Sequence, residues 1–129
     1  MNAKILVVED ERGQREALAE VLSRLGYEVQ CAANGSEALE LMRHSESLPG
    51  LILLDLMMPV MDGWEFRAQQ RKDRALADVP VVVLSALGDT AQKVVQDGAA
   101  AFVSKPLHWQ ALLSVVERFC GGTRPRPCA

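Results

Sequence analysis

Four stretches of the sequence carry groups suited to phosphoryl or metal chemistry: the acidic triplet Glu9-Asp10-Glu11, Asp55, Ser85 and the pair Ser104-Lys105. Each comes directly after a short apolar run. In order, these are Ile5–Val8, Leu51–Leu54, Val81–Leu84 and Phe102-Val103. If the runs are parallel strands of one sheet, all four polar groups fall on the same rim. Carboxylates held together repel, and water, shifted pKa values or a bound cation must relieve the repulsion. A hard divalent cation with oxygen ligands fits such a cluster, and Mg2+ favours a few carboxylates together with waters and phosphate oxygens. Lys105 adds a fixed positive charge and Ser85 a hydroxyl. This set suits phosphoryl transfer, in which metal and lysine neutralise the equatorial oxygens while a carboxylate serves as nucleophile. Asp55 ends the central run and is the expected nucleophile; Glu9 and Asp10 are the expected metal holders. Taken singly, each residue has a plainer reading: a helix cap or solvated loop for the acids, a turn for Ser85, a solvated charge for Lys105. Their coincidence on one rim is what carries the functional reading.

The elements that must position these groups are legible from periodicity. Lys4–Val8 reads as a first strand. Ala17, Leu18, Val21, Leu22 and Leu25 recur at three- and four-residue spacing and mark an amphipathic helix, which Gly26 stops. Tyr27–Ala32 reads as a second strand that includes Cys31 as a small core residue. Asn34-Gly35-Ser36 opens a helix holding Ala38, Leu39 and Met42. Pro49-Gly50 precedes the third strand, which ends at Asp55. Gly63 opens a third helix running to about Arg71, although Trp64 and Phe66 do not share a helical face. Arg67, Arg71 and Arg74 read as a solvated face. Pro80 begins the fourth strand. A short helix follows near Thr90–Gln96, closed by Asp97-Gly98. Phe102-Val103-Ser104 is the fifth strand. Leu107–Phe119 is the last helix, with Trp109, Leu112, Leu113 and Val116 on its core face. His44 reads as a surface residue at the end of the second helix, and His108 starts the last one without an evident partner. Strands alternating with helices define an α/β fold: a five-stranded parallel sheet in the flavodoxin-like order 2-1-3-4-5, with helices on both faces. Ligands in such sheets bind outside the carboxyl ends of the strands, which is the rim that collects the polar groups.

Composition narrows the class. The chain has 129 residues, of which 49% are hydrophobic and 24% charged, the balance of a globular domain and not of a disordered or collagen-like chain. Residues 1–120 read as one domain and 121–129, rich in Gly, Pro and Arg, as a flexible tail or linker stump. A net charge of -3 argues against direct nucleic-acid binding, which favours a basic face. No signal peptide is evident, and no segment approaches the ~18 apolar residues of a membrane span. Cys31, Cys120 and Cys128 form an odd set without metal-ligand spacing, as expected of free thiols in the cytoplasm. The Gly- and Lys-bearing loop of a P-loop NTPase is absent. An acidic triplet after the first strand would repel the phosphate of a flavin carrier. An aspartate-nucleophile phosphatase would need an acid–base group two positions after Asp55, where Met57 stands.

Five segments together resemble the response-regulator receiver domain of two-component signalling: Ile5–Glu11, Leu54–Gly63, Val83-Leu84-Ser85-Ala86, Gly98-Ala99 and Phe102–Pro106. The resemblance runs from about Lys4 to Phe119. It implies that Asp55 accepts a phosphoryl group from a phosphohistidine on a histidine kinase or phosphotransfer protein. It further implies that Asp10 and Asp55 ligate Mg2+, with Glu9 acting partly through water and the backbone carbonyl of Met57 completing the protein ligands. Lys105 would pair with Asp55 before transfer and with the phosphoryl group after it. Ser85 would hydrogen-bond the phosphoryl oxygens and, with Phe102, form the switch. A cis bond before Pro106 would aim the lysine. The face built by the short helix, the fifth strand and the last helix would report the change to a downstream protein or to an output domain. Such a chain is no enzyme beyond its own phosphorylation and dephosphorylation. Three features depart from the family pattern. Glu9 stands where many members have aspartate, the stretch from Ser85 to Gly98 is about two residues short, and Phe102 lacks a tyrosine hydroxyl. Met57 and Leu87 flank the pocket with apolar side chains, which would hinder an attacking water and lengthen the phosphoryl lifetime. The alternative is a receiver-like interaction module that works without phosphorylation, against which stands the intact set of Glu9, Asp10, Asp55, Ser85 and Lys105.

Overall fold

Side chains along a strand point alternately to opposite faces, and that alternation splits the core into two layers. In the computed structural model, which describes residues 4–56, 61–85, 93, 96, 98–105 and 108–120, five parallel strands form one sheet. They are β1 (Lys4–Val8), β2 (Glu28–Ala32), β3 (Leu51–Asp55), β4 (Val81–Ser85) and β5 (Ala101–Ser104), in the order β2-β1-β3-β4-β5. The helices among the described residues are α1 (Arg12–Arg24), α2 (Gly35–Arg43), α3 (Gly63–Lys72) and α4 (Trp109–Cys120). One face of the sheet presents Leu6, Val8, Ile52, Leu54, Val81 and Val83 to α2 and α3, with Phe66 fully buried among them. The other presents Ile5, Val7, Leu51, Leu53, Val82 and Leu84 to Leu18 and Leu22 of α1 and to Leu112, Val116 and Cys120 of α4. Both faces are covered, so the central strands are apolar without alternation.

Local chemistry starts and stops the helices where the positioning requires. Glu11 caps α1, its carboxylate accepting from the Gly13 and Gln14 N–H groups. At the other end Gly26 adopts φ +98°, its N–H bonding the Ser23 carbonyl while that of Tyr27 bonds Leu22. This paired closure needs a left-handed residue and turns the chain sharply into β2. Asn34 caps α2 through the Glu37 N–H. Asp62 and Glu65 form a reciprocal capping box on α3.

The structure corrects several details. Tyr27 is buried but precedes β2, and Cys31 within β2 is only half-buried. Ala17 and Leu25 lie outside the buried stripe of α1, which narrows to Leu18 and Leu22. Trp109 is exposed and not core; α4 starts there, and its buried positions are Leu112, Val116 and Cys120. Arg67 is not on a solvated face: it is buried, donating to Gln70 Oε1 at 2.8 Å. Gln70, also buried, turns its amide N–H groups to the carbonyls of Leu76 and Val79, each at 3.0 Å. The pair thereby satisfies the loop that carries the chain from α3 into β4. Gln70→Leu would remove the amide donor to the Val79 carbonyl and leave the Leu76 carbonyl only the Val79 N–H at 3.2 Å, and urea unfolding should show a loss of about 1–2 kcal/mol. His44 ends α2 at the surface beside Glu40. Lys93 and Gln96 are helical. The rest of the short helix expected near Thr90–Gln96, together with Met57, Leu87, Pro106 and residues 121–129, lies outside the described residues.

Candidate functional site

The polar groups gather at the carboxyl rim because register aligns the strand ends. Val8 pairs with Leu54, Asp55 with Leu84, and Ser85 with Ser104. Glu9 extends β1 by one residue, its N–H bonding the Ala32 carbonyl at 3.0 Å. Its side chain is buried, and Oε2 accepts the Glu11 N–H at 3.1 Å. Asp55 is 5% exposed and Ser85 fully buried, whereas Asp10 is open to solvent. One carboxylate oxygen from each of Glu9, Asp10 and Asp55 lies within 4.8 Å of the others. Within the acidic triplet the two readings divide: Glu11 is the helix cap, while Glu9 and Asp10 face the cluster.

Lys105 enters from β5. Its backbone N–H bonds the Ser85 carbonyl at 2.9 Å, which fixes the start of the side chain. Nζ then lies 2.9 Å from Glu9 Oε1, 3.0 Å from Gln14 Oε1 and 3.6 Å from Asp55 Oδ1. The ammonium is thus nearer Glu9 than the acid with which the resemblance pairs it. Phe102 lies on β5 opposite Val83 and is half-buried against the α2–α3 side of the sheet. Ser85 stands two residues beyond Val83 and points to that same side.

Two backbone features hold the pocket. Arg15 donates to the carbonyls of Glu9 at 2.9 Å and Asp10 at 3.4 Å. Gly63 brings the first turn of α3 down onto the end of β3: its N–H bonds the Leu56 carbonyl at 3.0 Å. A Cβ there would meet Leu56 Cα at 2.7 Å and the Asp55 carbonyl oxygen at 2.8 Å. Gln14 and Arg15 escape a reading based on strand ends. Their signal was positional, since side chains in the first turn of a helix that follows a strand end beside the same rim.

Three carboxylates within 4.8 Å of one another repel by roughly 3 kcal/mol per ionised pair at an effective dielectric of about 20. One ammonium offsets only part of this. An all-oxygen donor set that is partly open to solvent through Asp10 fits a hard divalent cation such as Mg2+. Cys31 and Cys120 stand apart from this chemistry. Burial pushes the thiol pKa of both Cys31 and Cys120 upward, which disfavours the reactive thiolate.

The geometry matches a known class. The model of the response regulator receiver domain family matches residues 5–117, and the chain belongs to that family. The chain is 43% identical over 105 residues to the "Probable transcriptional regulator ycf27" of Guillardia theta, covering 80% of this chain and 39% of that protein. It is 38% identical over 115 residues to the response regulator Rre1 of a Synechocystis species, covering 87% and 49%. It is 35% identical over 131 residues to the response regulator MprA of Mycobacterium bovis, covering 100% and 55%. The chain therefore spans about half the length, or less, of these relatives. Among solved structures, chemotaxis response regulator CheY4 of Vibrio cholerae superposes with a TM-score of 0.83 at 30% identity, covering 92% of this chain and 99% of that one. The receiver domain of a Pseudomonas aeruginosa sensor histidine kinase, with a magnesium ion coordinated in its active-site cleft, gives 0.82 at 27% identity, covering 94% and 99%. Receiver domains are signalling modules, and this chain carries the fold and the acidic cluster of one.

Proposed function

We propose that this receiver domain accepts a phosphoryl group on Asp55 and uses it to switch a protein-docking face. The observation that carries the reading is the cluster itself: Glu9, Asp10 and Asp55 within 4.8 Å, with Lys105 Nζ 2.9 Å from Glu9 and 3.6 Å from Asp55. Glu9, Asp10 and Asp55, with the carbonyl of Met57, would hold Mg2+. When bound, the ion would neutralise charge developing on the phosphoryl oxygens. A carboxylate oxygen of Asp55 attacks phosphorus, the P–N bond of a phosphohistidine breaks, and the imidazole nitrogen leaves with the bonding pair and takes up a proton. The product is an aspartyl phosphate carrying roughly -1.5 to -2 charges. Lys105 turns its ammonium from Glu9 to the new oxygens, and the Ser85 hydroxyl donates to one of them. Space left by Ser85 is taken by Phe102, which lies on the same side of the sheet. Phosphorylation thus shifts a population between two packings, and hydrolysis of the acyl phosphate by water resets it.

The phosphodonor is a histidine kinase or a histidine phosphotransfer protein. The recipient of the signal is a downstream protein or an output domain on the same polypeptide, as the longer matched relatives suggest. We assign the domain no direct nucleic-acid contact and place it in the cytoplasm; no helix among the described residues is long and apolar enough to cross a membrane. Incubation with acetyl phosphate and Mg2+, followed by mass spectrometry of peptides, tests the reading. One phosphoryl group should appear on the peptide containing Asp55. An unmodified protein, with a control receiver labelled in parallel, would favour phosphorylation-independent docking.

A further inference from the structure

The distances around Lys105 divide its three N–H donors unevenly. Glu9 Oε1 and Gln14 Oε1 accept at 2.9 and 3.0 Å, while Asp55 Oδ1 lies at 3.6 Å, beyond ordinary hydrogen-bond range. The Glu9 acceptor is anchored, and the backbone from which Gln14 reaches is fixed by the helix cap. The Glu9 carboxylate is held by the Glu11 N–H at 3.1 Å, and the Gln14 backbone N–H by Glu11 Oε2 at 2.6 Å. The ammonium therefore rests closer to Glu9 and the α1 side, keeping only the longer 3.6 Å ion pair with the carboxylate that would be phosphorylated. Gln14 supplies the acceptor on that side, and it comes from the helix, not from a strand end. We infer that Gln14 is a positioning residue that holds Lys105 in a resting place and so lowers the affinity of the pocket for a phosphoryl group. The inference rests on the proposed function and adds to it a residue that tunes the same site.

The physical content is a competition. For Lys105 to meet a phosphoryl oxygen on Asp55, the bond to Gln14 must break, and one exposed neutral acceptor is worth roughly a three- to tenfold change in an equilibrium. Gln14→Leu removes the acceptor with little change in helix propensity. Gln14→Asn keeps the amide but is one methylene shorter and falls short of Nζ. Beryllofluoride, which stands in for the phosphoryl group, is titrated at saturating Mg2+ against wild type, both variants, Lys105→Met and Gln14→Leu/Lys105→Met. Thermal unfolding of each is recorded alongside. Gln14→Leu and Gln14→Asn should each bind three- to tenfold tighter than wild type while staying folded, with Tm lowered by no more than about 8 °C through the lost bond. In the Lys105→Met background the Gln14 substitution should have no effect, because it acts only through the ammonium. If wild type binds and either Gln14 variant binds equally or more weakly, the positioning role is wrong while the phospho-acceptor reading stands. If the gain persists without Lys105, Gln14 acts by another route and the inference fails. If wild type itself does not bind, the proposed function falls, and this inference with it.

Discussion

Asp55→Asn should fold as well as wild type and take up no phosphoryl group from acetyl phosphate or from a phosphohistidine donor. The loss should be complete, because an amide lacks the anionic oxygen that attacks phosphorus and cannot form an acyl phosphate. Stability should not fall. Asp55 ends β3 with its backbone in the ladder, which asparagine preserves, and one of three mutually repelling carboxylates is removed. Lys105 keeps its closer contacts to Glu9 and Gln14. The combination of unchanged or raised Tm and an unmodified mass is what separates loss of chemistry from loss of fold. Residual labelling of the variant on another acid would show that the cluster, and not Asp55, defines the acceptor.

Gly63→Ala should have a large effect of a different kind. The added Cβ meets backbone on two sides, Leu56 Cα at 2.7 Å and the Asp55 carbonyl oxygen at 2.8 Å. Neither can rotate aside as a side chain would. Either α3 lifts off the sheet, drawing Phe66 out of its buried position, or the end of β3 shifts and carries Asp55 with it. Overpacking of this sort costs about 3 kcal/mol, read by urea unfolding. In native buffer, where the variant is still folded, Mg2+ affinity measured by Trp64 fluorescence should fall as well, since displacement of Asp55 spreads the donor set. Wild-type stability and affinity would show that the helix start and the pocket are not mechanically joined.

Much of this protein is readable from its sequence for a physical reason. A parallel sheet covered on both faces leaves each strand as an uninterrupted apolar run. The first polar residue after each run therefore marks the rim, and Glu9, Asp55 and Ser85 follow from that rule, with Lys105 one residue beyond Ser104. Turn and cap chemistry is equally local: Gly26 and Asn34 end or open helices where their residue types predict. What escapes is decided by tertiary contact. Arg67 has the charge of a surface residue, yet it is buried with Gln70, whose amide satisfies two loop carbonyls. Nothing in the pattern of α3 distinguishes it from Arg71. Trp109 has the apolar area of a core residue but stands at the start of α4, outside its buried stripe. Gln14 and Arg15 reach the pocket from a helix turn, so their part depends on the angle at which α1 leaves β1 and not on any motif. The same holds for Glu11, where spacing alone left cap and ligand open and the structure shows the cap.

Glu9, Asp10, Asp55, Ser85 and Lys105 should act together as one phosphoryl pocket. Trp64 is placed to report on it, since it follows the glycine that packs against the Asp55 backbone and lies partly buried beside the core. The most direct test is Trp64 fluorescence during beryllofluoride titration, with and without Mg2+, in wild type and Asp55→Asn. A saturable change that requires Mg2+ and is absent from Asp55→Asn is the predicted result. A change that persists in Asp55→Asn, or no change in a wild-type protein that also shows no phosphoryl adduct by mass spectrometry, would contradict the account.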